Sequence, residues 1–168
     1  MIVVADASPL IFLGKIGRLR LVVGLFPGTI LVPMSVNAEV LAIPLAPDEE
    51  HSLNTFLKSC RIVSVSAPRR YTAALSQADN ESLTLSVQRK AGLLLADDRL
   101  LRRLAVAEGI RPMGTLGILL RAKEQGLMTG VEARKCLEQL VQQHQFRISI
   151  EVYDATVQRI EAHRAPGK

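Results

Sequence analysis

The chain has 168 residues, of which 48% are hydrophobic, 22% charged and 4% aromatic, with no Trp. That length supports one domain with a substantial core, and the composition excludes an intrinsically disordered chain; no stretch has the roughly 20-residue apolar run of a membrane span. The net charge of +5 is unevenly placed: Arg99–Glu124 holds six basic residues against two acidic ones, a net +4, and the remainder is close to neutral.

Cys60 and Cys136 lie far apart with no metal-ligand spacing, which fits the reducing cytoplasm better than a disulfide scaffold. The opening MIVVADASPLIFLGK is interrupted by Asp6 and lacks the basic start and cleavage site of a signal peptide. Ile2–Ala5 reads as a buried strand with Asp6 at its carboxyl end. Ser8-Pro9 predicts the cap and first residue of a helix through Leu10–Leu13. With Ser8 as the cap, Asp6 is left for the crevice where open α/β sheets bind ligands. A helix over Arg18–Phe26 and a strand over Thr29–Val32 follow. Pro33 opens a helix from Met34 to Leu41 whose apolar side is Val36, Val40 and Ile43. Glu39 borders that stripe, as a rim residue or as an acid facing a site.

Pro44 and Pro47 mark a loop, and Asp48–Lys58 reads as an exposed helix whose early acids complement its dipole. Arg61–Val65 is a third strand, and Tyr71–Ser76 reads as a short helix. Asp79 is the expected cap of a helix over Ser82–Lys90, with Glu81 in the first turn, a position the helix dipole alone would explain. Leu93–Ala96 is a buried strand that Asp97 and Asp98 stop abruptly. Leu100, Leu101, Leu104 and Ala105 then recur at helical spacing, and Gly109 ends that helix. Asp98 reads either as the cap of the helix starting at Arg99 or as a site acid. Ile110–Met113 is a further strand, Gly114-Thr115 a turn, and Leu116–Lys123 a helix. After Gly126, the capping-box spacing Thr129-x-x-Glu132 starts a helix to about Gln143. Ser149 caps a last helix carrying Ile150, Tyr153, Val157 and Ile160 on one face, to pack on the α/β unit or on a partner chain. His163–Lys168 reads as a frayed end.

Asp6, Glu39, Glu81 and the Asp97-Asp98 pair come from four elements that a parallel sheet would bring to one edge. Oxygen donors of this kind suit Mg²⁺ or Mn²⁺, which activate water and stabilise the leaving oxygen of a phosphodiester. Without a cation, clustered carboxylates repel and their pKa values rise. Competing chemistries find no pattern: there is no G-x-G-x-x-G after a strand and no P-loop, and His51, His144 and His163 are scattered. A receiver-type signalling module would need an acid pair near the first strand and a Lys after the fifth; here stand Asp6 alone and Gly114-Thr115.

The ordered fragments VVADASPLIFLGKI, VNAEVL, NESLTLSV, LLLADDRLLRRLA and GIRPMGTLGILLRAKEQGL resemble the PIN-domain family, in its prokaryotic branch related to VapC-type toxins. The resemblance covers roughly residues 2–128, and Asn80-Glu81 stands where the family often has Gly-Glu. It implies a three-layer α/β/α sandwich around a parallel sheet of about five strands, with 1–128 as the nuclease domain and 129–168 as a helical extension. It also implies a Mg²⁺- or Mn²⁺-dependent endoribonuclease that works as a homodimer and could be the toxin paired with an antitoxin protein. Carried over by position, Asp6, Glu39, Glu81 and Asp98 are the catalytic acids and metal ligands, with Asp97 as neighbour or substitute. Thr115 supports the site or contacts phosphate; Ser8, Arg99, Arg102 and Arg103 are candidate substrate contacts. The alternative is a degenerate member that binds RNA or protein without cutting.

Overall fold

Alternation along short apolar strands sets the architecture. In the computed structural model, which describes residues 1–162, β1 (Ile2–Ala5), β2 (Thr29–Pro33), β3 (Arg61–Val63), β4 (Leu93–Leu95) and β5 (Pro112–Met113) form one sheet in the order β3-β2-β1-β4-β5. Every pairing is parallel, with Val3 beside Ile30 and Leu93, and Ala5 beside Leu95. Val3, Ala5, Ile30, Val32, Leu93 and Leu95 belong to one core, whereas Val4, Leu31 and Leu94 belong to the other. Side chains of period two thus feed two apolar layers, which is why β1, β4 and all of β2 after Thr29 lack polar positions.

Helices cover both faces. On the first lie α1 (Ala7–Lys15), α2 (Arg20–Leu25), α3 (Met34–Leu41), α4 (Pro47–Ser59), α7 (Thr115–Glu124), α8 (Gly130–Gln143) and α9 (Ile150–Glu161). On the second lie α5 (Gln77–Gln88) and α6 (Arg99–Ala107). The result is the expected three-layer α/β/α sandwich. Ala133, Cys136 and Leu137 of α8, Phe146 and Ile160 are buried in the same core as α1 and α7. Gly109 and Gly126, with φ of +74° and +73°, take the left-handed conformation just past α6 and α7, where a side chain would be strained. Among the described residues no helix is long and apolar enough to cross a membrane. The tail expected to fray, His163–Lys168, lies outside the described residues.

Several local expectations are corrected. Ser8 does not cap α1: the helix starts two residues earlier than expected, at Ala7, Asp6 holds the cap position through its extended backbone, and Pro9 sits within the first turn, where no intrahelical donor is lost. Tyr71–Ser76 is not helical; the Asn80 side chain claims its backbone, accepting from the Tyr71 N–H and donating to the carbonyls of Leu75 and Ser76. The helix that follows starts at Gln77, with Ser76 as its cap and Asp79 as the reciprocating residue three positions on. The Asp48–Lys58 helix is not exposed all round, because Leu53, Phe56 and Leu57 are buried. Of the expected inward face of α9, Ile150 is 77% exposed, whereas Tyr153, Val157 and Ile160 pack on the core together with the buried Thr156.

Candidate active site at the switch point of the sheet

From β1 the chain builds the sheet first to one side, through β2, and later to the other, through β4. In open α/β sheets the crevice at that reversal, outside the carboxyl ends of the strands, is where ligands bind. Asp6 stands there. Its N–H donates to the Leu95 carbonyl at 2.9 Å, extending the β1–β4 ladder by one step. Its side chain makes no capping bond to α1; Oδ1 accepts the Ser82 hydroxyl of α5 at 3.0 Å. Asp6 is 2% exposed. Burial, followed by the negative charges of Asp79 and Glu39, pushes its carboxyl up to about 7, against the Ser82 and Ala7 hydrogen bonds that favour the anion.

The first turns of α5 surround this carboxylate with polar groups. Asp79 closes the capping box by accepting the Ser76 N–H at 2.8 Å. Glu81 is buried, and its two oxygens are held by the Ser35 hydroxyl at 2.6 Å and the Gln77 amide at 2.7 Å. It therefore ties α5 to the start of α3. Glu39, on α3, is exposed.

After β4, Ala96 is buried and Asp97 follows half-buried. Thr115, at the start of α7, holds both of its oxygens: the backbone N–H donates to Oδ1 at 2.7 Å and the hydroxyl to Oδ2 at 2.6 Å. Burial raises the Asp97 pKa, while the two Thr115 bonds and the Arg102 guanidinium pull the other way. A Cβ on Gly114 would come within 2.7 Å of Asp97 Oδ1, so a glycine is needed for this close approach. Asp98 is exposed, and its Oδ1 caps α6 by accepting the Leu101 N–H at 2.7 Å. From Asp97 and Asp98 a cleft of about 1150 Å³ opens between α6, the β5–α7 turn and α9.

The structure therefore divides the expected acids. Asp6 and Asp97 stand at the ends of neighbouring strands, Glu39 lies within electrostatic reach of Asp6, and the carboxylates of Glu81 and Asp98 are engaged with their own surroundings. Ser8, Arg99 and Arg102 line the cleft, Arg103 does not, and Thr115 acts on Asp97. Sequence reasoning missed Asp79 as a neighbour of Asp6, although the Ser76-x-x-Asp79 spacing carried the capping-box signal. It also missed Ser82, for which a serine inside a helix offers no signal, and the cleft arginines Arg147 and Arg159, whereas Arg121 belongs to the basic segment Arg99–Glu124. Among the described residues no three His, Cys, Asp or Glu side chains converge to hold a metal ion as they stand. Mg²⁺-type ions take one or two carboxylates and complete their shell with water, so Asp6, an oxygen donor with Asp79 and Glu39 in electrostatic reach, fits such an ion, and Asp97 after the adjacent strand is a second oxygen donor.

A family model described as a PIN domain matches residues 2–162. No curated protein matches. Among solved structures, a PilT N-terminus domain protein from the hyperthermophilic archaeon Sulfolobus solfataricus is similar with a TM-score of 0.53 at 16% identity. The similarity covers 70% of this chain and 90% of that one, and it is a likeness of fold.

Proposed function

The chain belongs to the PIN-domain family, and from that premise we propose that it is a Mg²⁺- or Mn²⁺-dependent endoribonuclease. The observation that carries this reading is Asp6, a carboxylate buried at the switch point and raised to about 7 by burial and by the acids around it. Such an environment is relieved by a cation. Asp6 and Asp97 would hold it, with Glu39 and Asp79 adding negative charge nearby. A bound divalent ion supplies Lewis acidity and charge neutralisation at the scissile phosphate.

The chain's own residues do the rest. Ser82 orients the Asp6 carboxylate, and Thr115 fixes that of Asp97, so both acids are set before substrate arrives. Arg99 and Arg102, on the cleft beside Asp97, attract the phosphate backbone. Residues 1–128 form the catalytic unit in this reading, and 129–168 the extension. The VapC-like motifs further support a toxin that acts in the cytoplasm as a homodimer and is restrained by an antitoxin.

Purified protein incubated with a panel of single-stranded and structured RNAs is expected to cut with Mn²⁺ or Mg²⁺ and to stop with EDTA or in Asp6→Asn. A folded protein that cuts nothing but binds RNA would favour the second reading, a non-cutting RNA-binding member. That reading draws on the local engagement of Glu81 and Asp98.

A further inference from the structure

The cleft is larger than the acids need. Its volume of about 1150 Å³ exceeds the roughly 300–1,000 Å³ of a small-molecule pocket. Five arginines line it: Arg99 and Arg102 from α6, Arg121 from α7, Arg147 from the segment before α9, and Arg159 from α9. Three acids share the lining, and each has a partner of its own. Asp97 is held by Thr115, Asp98 caps α6, and Glu124 accepts from Arg159 at 3.0 Å. Arg99 and Arg147 form no ion pair among the described residues. Arg121 is set over the Phe26 ring at 5.4 Å, and its buried Nε has no hydrogen-bond partner among the described residues. The cleft wall also carries the half-buried Phe12, Leu116 and Ile148 and the exposed Val152, an apolar surface against which bases can lie.

We propose that this cleft is the approach channel for single-stranded RNA, and that Arg147 and Arg159 hold its phosphate backbone on the way to Asp97. The assignment rests on the nuclease reading for its polarity, but the binding it describes is separate from cleavage. It gives the C-terminal segment a function: α9 supplies the far wall of a channel whose near wall is α6 and the β5–α7 turn. A charged groove that tracks the backbone, beside apolar surface for bases, is how single strands are held without sequence readout.

The test is binding of a fluorescent single-stranded oligoribonucleotide in EDTA, where hydrolysis is off, read by anisotropy across a salt series. Arg147→Ala/Arg159→Ala is expected to weaken binding about tenfold. It should also flatten the slope of log K against log salt by about 1.4, the loss of two phosphate contacts on a single strand. Arg147→Lys/Arg159→Lys should restore most of the slope, and Arg61→Ala, on edge strand β3, should change neither quantity. Thermal melts of all four proteins separate lost contacts from lost fold. Unchanged affinity and slope in a folded double-alanine variant would overturn the proposal. So would equal affinity for duplex RNA, or a preference for polyglutamate over the oligonucleotide. Cleavage assayed in parallel keeps the two readings apart: arginine-dependent binding without metal-dependent cutting removes the nuclease and leaves the channel.

Discussion

At the scale of the residue, Asp6 shows a side chain whose environment works against the fold. An aspartate with an ordinary pKa of 3.8 that is raised to about 7 in the folded protein binds its proton more tightly when folded. The folded state then binds more protons than the unfolded state between those values, so stability falls as pH rises through that window. Below about 4 both states are protonated and the penalty vanishes; above about 7 it is complete. Asp6→Asn removes the titration while keeping an oxygen for the Ser82 hydroxyl. In metal-free protein the variant is expected to gain on the wild type as pH rises from 4 to 8, by about 1–4 kcal/mol at the upper end. At this chain length each kcal/mol is worth about 2–4 °C of melting temperature. Melts in EDTA at pH 5 and pH 8 check this, and a gap that narrows at pH 8 would show the Asp6 anion to be stabilised by its surroundings. Asp6 itself was legible because an acid directly after an apolar strand stands out locally. Its partners Ser82 and Asp79 were not, because which face of α5 meets β1 depends on how two segments some 76 residues apart dock.

At the scale of the element, the start of α6 separates two roles that the sequence left open. Asp98 accepts the Leu101 N–H, and that bond needs an oxygen but no charge. Asn caps as well as Asp, whereas Ala does not. Asp98→Asn is therefore expected to melt within about 1 °C of wild type and to keep metal-dependent cleavage, while Asp98→Ala should lose about 1 kcal/mol of stability. Loss of cleavage in a stable Asp98→Asn would instead make Asp98 a ligand. Caps such as Ser149 and the Thr129/Glu132 box were legible because donor and acceptor lie three residues apart. The start of α5 was misread for the opposite reason. Asn80 reaches back nine residues to Tyr71, and that bond holds an irregular segment where local spacing suggested a helix.

At the scale of the whole molecule, the sheet order and the placement of the C-terminal helices depend on long-range docking, which no local pattern reports. Strand identities could be read from short apolar runs, but the reversal at β1 that puts Asp6 and Asp97 after adjacent strands could not. The sequence leaves the extension beyond residue 128 between packing on the sheet's helices and packing on a partner. In the fold, Leu137 and Leu140 are fully buried, and Ile160 is nearly so, in a core continuous with Leu10, Leu13 and Ile118. A shared core should unfold with the rest of the chain, because removing α8 and α9 from it would expose apolar area of α1 and α7. The chain has two tyrosines and no Trp, and they sit apart: Tyr71 packs beneath α5 with the second core, and Tyr153 on α9 packs against the first. Tyr71→Phe leaves Tyr153 as the sole tyrosine, so its fluorescence reports the C-terminal helices while far-UV circular dichroism reports the whole. In a urea titration the two signals are expected to share one midpoint. A tyrosine transition at lower urea than the dichroism would show the helices to be a separately melting appendage, and would weaken the channel wall they are proposed to form.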